Sequence, residues 1–197
     1  MGSAGIILAA GASNRMGSPK QLLEIDGAIL LQLVVNQARA STLDQVLVVL
    51  GANAEAILGR LDLGRAGLVI NPRHEQGMST SLLAGMAALG DGVDSMMVIL
   101  GDQPGLGVDR INDLLSLHHS SGLPLAALGF GELLHPPVVI SRHLWGELAD
   151  LEGDIGCRQL VRGHREEVAV LRMETDARHP IDIDTPEDFQ RLLSGSG

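Results

Sequence analysis

The stretch LAAGASNRMGSPKQLL, Leu8 to Leu23, joins an apolar run to a loop that carries Gly11, Arg15, Gly17 and Lys20. Glycines let backbone amides approach an anion closely, and the arginine and lysine would supply the positive charge that phosphate groups need. A solvated basic turn would use the same residues. Two common phosphate signatures are excluded by spacing. The GxxxxGK[ST] loop needs four residues between its glycines and a lysine directly after the second, whereas five residues separate Gly11 from Gly17 and Lys20 lies three positions further on. The fingerprint GxGxxG fails too, because Ala12 and Ser13 follow Gly11 and position 31, about 20 residues on, is Leu31 rather than an acid.

Carboxylates stand at two other places suited to chemistry. In MMVILGDQPGL, Asp102 follows an apolar run by two residues. It could hold Mg2+, an oxygen-seeking cation often bound through one or two carboxylates plus substrate phosphates. Gly-Asp ahead of Pro104 is also ordinary turn chemistry. In HPIDIDTPEDF, Asp182 and Asp184 alternate with Ile181 and Ile183, so an extended chain would point both carboxylates to one face, roughly 6.6 Å apart. Thr185 and Pro186 read as the N-cap and first position of a helix, which gives Glu187 and Asp188 a structural role at its start.

These groups need elements to position them. Apolar runs that read as buried strands recur at Ile6 to Ala10, Val46 to Leu50, Leu68 to Ile70, Met96 to Leu100, Leu125 to Leu128, Val138 to Ile140 and Val168 to Leu171. Helical periodicity fills Ile29 to Ala40, Ala54 to Leu61, Ser79 to Leu89, Val108 to His118 and Pro186 to Leu193. The alternation predicts an α/β fold, a mostly parallel sheet flanked by helices. Ligands of such sheets bind beyond the carboxyl ends of the strands, where the basic loop and Asp102 both fall.

The 197 residues fit one domain, 1–197, with residues 193–197 expected as a flexible tail. No apolar run approaches the roughly 20 residues of a membrane span, and no export or lipid signal is visible at the start. A net charge of −10 and 2% aromatic residues argue against nucleic acid as a partner. Cys157 is the only cysteine, so no internal disulfide can form. That fits a cytoplasmic setting, and the thiol is expected to be inert. His118 and His119 lack companions at zinc spacing and read as solvated; GxSxG and HExxH motifs are missing.

Leu8-Ala9-Ala10-Gly11, Arg15-Met16-Gly17 and Pro19-Lys20 resemble the signature LxxGxxxRMGxxK of the nucleotidyltransferases related to the molybdenum cofactor enzymes. In that family the loop wraps a nucleoside triphosphate. The resemblance implies a Rossmann-like nucleotidyltransferase fold, nucleotide contacts from Leu8, Ala9, Ala10, Gly11, Arg15, Gly17 and Lys20, and catalytic roles for Arg15, Lys20 and Asp102. It also implies that Asp102 and Asp184 hold the metal, with Asp182 in reserve. INPRHEQGMSTSLLAGM reads as a helix start capped by Ser79 or Thr80, with Leu82, Leu83, Met86 and Leu89 on one face and Met78 and Met86 in the core. The segment resembles the family's NP…QGMxxSL, which places Gly77 and Ser81 on the base side and Asn71 and Pro72 in the neighbouring wall. His135, in LLHPP where relatives carry Gly-His-Pro, and Arg158, in GDIGCR, would face a second substrate.

The expected function is transfer of CMP from CTP to molybdopterin with release of pyrophosphate, Mg2+ as cofactor, and a recipient molybdoenzyme downstream. Ala10 favours CTP over GTP, since guanylyl relatives carry a glycine there. Other readings are a guanylyltransferase, a sugar- or polyol-phosphate nucleotidyltransferase of the same fold, and a non-catalytic cofactor-binding protein.

Overall fold

Gly2–Ala9, the strand β1, has no polar and apolar alternation because strands flank both of its edges and helices cover both of its faces. The computed structural model describes residues 2–12, 19–150, 153–173 and 186–193. After β1 come a short hairpin of β2 (Glu24–Ile25) and β3 (Ala28–Ile29), then α1 (Leu30–Ala40), β4 (Gln45–Leu50), α2 (Ala54–Leu58) and β5 (Gly67–Ile70). The chain continues through α3 (Met78–Ala87), β6 (Val93–Leu100), α4 (Val108–Ser121), β7 (Leu125–Phe130) and β8 (Leu133–Ser141). It closes with α5 (Trp145–Leu148), α6 (Arg158–Gly163), β9 (Val168–Arg172) and α7 (Pro186–Leu193).

Among the described residues, seven strands make one sheet in the order β5-β4-β1-β6-β8-β7-β9. All neighbours are parallel except β8, which runs antiparallel to both β6 and β7. The mostly parallel sheet is therefore as expected. The β7–β8 ladder shifts register between Ala127, which faces Val138, and Leu128, which faces His135. Pro136 and Pro137 fall in that gap, and neither has an N–H to give to a ladder.

Successive strand residues point to opposite faces, so Ile6 and Ile7 serve two different cores. Ile7, Val48 and Ile99 pack with Leu31 and Val35 of α1 and Leu114 of α4. Ile6, Val49 and Val98 pack with Leu82 of α3, Leu148 of α5 and Leu160 of α6. Each fully buried aliphatic side chain contributes about 1.5–3 kcal/mol. The edge strand β5 alternates instead, leaving Leu68 and Ile70 exposed.

Several expected boundaries move. The helix expected at Ala54 to Leu61 stops at Leu58, where Gly59 donates its N–H back to Glu55 and ends the turn. α3 starts at Met78, with Gly77 rather than Ser79 or Thr80 at the N-cap. His118 is not solvated. α4 lays it against β8, 7% exposed, with Nε2 3.0 Å from Ser141 Oγ. Burial, then the neighbouring His119, holds its pKa below the usual histidine range. His119 is exposed, as expected. Met86 packs against the core, but Met78 is 36% exposed because it sits at the very start of α3. Among the described residues no helix is long and apolar enough to cross a membrane.

Ile99→Ala should lower the free energy of unfolding by about 2–5 kcal/mol, since it empties a fully enclosed position, whereas Leu68→Ala should change it by less than about 0.5 kcal/mol. Urea denaturation of the two variants checks this.

Candidate active site

The parallel ladder aligns the carboxyl ends of β1 and β6, pairing Leu8 with Leu100. One residue further, Gly101 donates its N–H to Leu8 O at 2.9 Å. A Cβ on Gly101 would stand 2.8 Å from the Ala9 Cβ, so this close approach requires glycine. Asp102 is thereby delivered to the mouth of the basic loop. Lys20, at the start of the helical turn Lys20–Leu22, meets it there. Its Nζ lies 2.5 Å from Asp102 Oδ2, with the two side chains 18% and 15% exposed.

The base of the loop is held shut by Gln21, which is 2% exposed. Its amide donates to Ala9 O at 3.2 Å and to Gly11 O at 3.0 Å, joining the entry of the loop to its exit. Ala10 O accepts from Ala52 N. The carbonyls of Leu8, Ala9, Ala10 and Gly11 are all committed to protein donors. An anion nearing the strand end therefore meets acceptors that are already neutralised. Leu8, Ala9 and Ala10 are buried and Gly11 is exposed, so any ligand contact from the first three comes mainly through the backbone. Sequence reading missed Gln21, although a lone polar residue against Leu22 and Leu23 was the available signal. Arg15, Gly17, Asp182 and Asp184 lie outside the described residues.

A second wall is built from the segment after β5. Asn71, 1% exposed, donates its side-chain amide to Thr80 Oγ1 and Ser81 Oγ, both at 2.9 Å, and accepts from Arg73 N. Asn71 and Ser81 are thus buried supports that fix the turn onto α3. Pro72 lies on the exposed side of that turn. Gly77 is required twice over, since its φ is +108° and a Cβ there would stand 2.4 Å from the Gly153 carbonyl carbon. The turn Gly153–Ile155 packs so closely that Asp154 Oδ1 accepts the Met78 N–H at 3.1 Å, a cap supplied from across the fold.

Beside these walls opens a pocket of about 540 Å³, reaching Leu100 just before Asp102 and Met78 at the head of α3. His135 and Arg158, expected to face a second substrate, both line it. The His135 ring meets Phe130 edge-on at 5.6 Å. Cys157 also lines it, 9% exposed, and burial pushes its thiol pKa up to about 12, so it stays protonated. Arg162, one turn on from Arg158 along α6, and Arg165, in the turn just beyond α6, share the pocket, and sequence reading did not single them out.

α6 is anchored behind the pocket by His164, whose Nδ1 lies 2.6 Å from Glu167 Oε2 and whose Nε2 lies 2.9 Å from Glu147 Oε2. Hydrogen bonds to Glu147 and Glu167 raise its pKa above the usual histidine value.

A strand-end carboxylate paired with a lysine at the carboxyl edge of a mostly parallel sheet is the arrangement of an α/β domain whose ligands bind beyond its strand ends. Residues 5–169 match the description "MobA-like NTP transferase domain", and the chain belongs to that family of nucleotidyltransferases. It is 34% identical to nicotine blue oxidoreductase of Paenarthrobacter nicotinovorans, over 96% of this chain and 95% of that one. It is 32% identical to the purine catabolism protein PucB of Bacillus subtilis, over 95% and 94% of the two chains. The crystal structure of Rv0371c from Mycobacterium tuberculosis in complex with manganese superposes with a TM-score of 0.84 at 28% identity, covering 98% of this chain and 99% of that one.

The raised His164 pKa sets a direction for stability. The clasp contributes fully below the ordinary histidine pKa of about 6.5, and its contribution is lost as pH rises through the higher folded-state value. The stability difference between wild type and His164→Gln, measured by thermal melts across pH, should therefore shrink on going from mildly acidic to alkaline buffer.

Proposed function

We propose that the protein transfers CMP from CTP to the terminal phosphate of molybdopterin and releases pyrophosphate. The observation that carries the reading is the contact of Lys20 with Asp102 beside a strand end whose Leu8 to Gly11 carbonyls are already satisfied. An oxygen of the acceptor phosphate attacks the α-phosphorus of CTP; a new P–O bond forms, the bond to the β-phosphate breaks, and pyrophosphate leaves. The acceptor phosphate carries close to two negative charges at neutral pH, its second pKa being ~6, so no general base is required.

What the chain's own residues supply is placement and charge. Lys20 and Arg15 offset charge on the transferring group and the leaving pyrophosphate. The backbone from Leu8 to Gly11, with Gly17, shapes the cradle. Gly77 and the wall that Asn71 and Ser81 support lie on the base side, and His135 and Arg158 face the acceptor. Asp102 is a hard oxygen donor, only 15% exposed, at a strand end where a substrate phosphate would complete the ligand set, so the donor chemistry fits Mg2+. Asp102 and Asp184 would hold that ion, which when bound neutralises phosphate charge. The manganese complex of Rv0371c supports a divalent ion in this fold. At rest Lys20 neutralises Asp102; with substrate present each turns to a phosphate or to the ion.

Ala10, where guanylyl relatives carry a glycine, favours CTP over GTP in this reading. A reaction of this kind belongs in the cytoplasm, with a molybdoenzyme as recipient of the product. A second reading follows from the name of the relative at 34% identity, an oxidoreductase. It would make the loop a dinucleotide site, against which stands the lack of GxGxxG. Hydride transfer from NADH or NADPH to nicotine blue, without pyrophosphate release, would establish it in place of the transferase.

Pyrophosphate release should be greatest with CTP among the four triphosphates and should require molybdopterin. Asp102→Ala should abolish it while the circular dichroism spectrum stays unchanged, and Lys20→Ala should weaken CTP binding about tenfold by calorimetry. Tighter binding of GTP than CTP would overturn the base assignment, and wild-type turnover in Asp102→Ala would remove that residue from the mechanism.

A further inference from the structure

We propose that the pocket between α6 and the β7–β8 hairpin is a subsite for a phosphate monoester with an apolar body. In this subsite Arg162 joins Arg158 as a selectivity residue, and Glu132 acts as a built-in competitor for Arg165. The identity of that monoester as the acceptor rests on the transferase reading above; the subsite itself does not.

The charge distribution carries the argument. In a chain of net charge −10, three of the 14 lysines and arginines line this single pocket, namely Arg158, Arg162 and Arg165. The first two are four residues apart on α6 and so share a helix face, and Arg165 follows about one turn later. Two carboxylates also line the pocket. Asp154 is committed to the Met78 N–H, and Glu132 lies 3.6 Å from Arg165. Among the described residues, neither Arg158 nor Arg162 is paired with a carboxylate. Two guanidinium groups are left to recognise an incoming anion, and guanidinium matches the oxygens of a phosphate in a bidentate fork.

Much of the remaining lining is apolar. Val98 of β6, Val138 of β8 and Val161 of α6 are each less than a tenth exposed and form its floor, and Leu133 stands 65% exposed at the rim. A volume of about 540 Å³ falls within the usual size range of small-molecule sites. A bare inorganic anion would leave this apolar surface unused.

Glu132 sits at the tip of the hairpin, 92% exposed on its side chain, and Arg165 also donates to the Glu132 backbone carbonyl at 3.5 Å. Its carboxylate therefore reaches Arg165 from outside and offers the same chemistry as a ligand oxygen. An exposed pair of this kind is weak, so a dianionic ligand displaces it readily.

Phenyl phosphate is the probe, titrated into the full-length protein and followed at the Met78 methyl group, which lines the pocket. Phenol serves as the uncharged control. Phenyl phosphate should shift the Met78 signal and phenol should not. Arg162→Gln should weaken binding about tenfold, and Glu132→Gln should strengthen it about two- to threefold. The gain from Glu132→Gln should vanish in an Arg165→Gln background. Equal affinity in wild type and Arg162→Gln, or no gain in Glu132→Gln, would overturn the proposal. Pyrophosphate release, measured separately on the same variants with CTP and molybdopterin, reports on the transferase reading, so failure of one is distinguishable from failure of the other.

Discussion

The close contact between the ends of β1 and β6 is the constraint on which the site depends. Parallel pairing sets Leu8 opposite Leu100, and Gly101 then leaves room for the chain to turn against Ala9. A side chain at Gly101 would push the two strand ends apart, and Asp102 with them. The contact with Lys20 also needs the loop to return to its origin, which the Gln21 amide secures through Ala9 and Gly11. A lysine and an aspartate 82 positions apart in sequence meet because a strand ladder, one glycine and one buried glutamine leave them little other choice.

Much of this was readable from the sequence, and the reason is periodicity. β1, β4, β6 and β7 are buried on both faces, so they appear as continuous apolar runs, and the helices between them show a regular apolar stripe. What could not be read was set by contacts across the fold. The N-terminus of α3 is capped by Asp154, 76 residues away, so nothing local to Met78 indicates where the helix begins. Ser79 and Thr80 are good cap residues by type, yet Ser79 is buried and the Thr80 hydroxyl donates to Arg73 O and Gly77 O. His118 looked solvated because its burial depends on β8, more than 20 residues further on. The short α5 and α6 are held by packing and by the His164 clasp rather than by a long amphipathic pattern.

The candidate site residues divide in the same way. Lys20 and Asp102 were recognisable because residue type and strand-end position coincided. Asn71 and Ser81 were identified from motif resemblance, and their hydrogen bonds make them supports, because the amide of Asn71 is enclosed and directs its donors to α3. Gly77 serves the same wall by making room for Gly153. These contacts couple the two sides of the site. The turn that caps α3 leads directly into α6, so movement of the pocket wall would be felt at the segment proposed for the base side.

Charge placement gives the last step. A strongly acidic protein repels anionic ligands at long range, and at physiological ionic strength that repulsion is screened within about 8 Å. Local charge decides binding inside that distance. Among the described residues, positive charge gathers at Lys20 and along and just beyond α6, and three carboxylates beside these cations each have a partner. Asp102 meets Lys20, Asp154 caps a helix, and Glu132 leans on Arg165. A carboxylate left without such a partner beside either cationic group would cancel the attraction on which an anionic substrate depends. Under the proposed function, the pairing of these acids is therefore part of what would let an acidic chain hold phosphates.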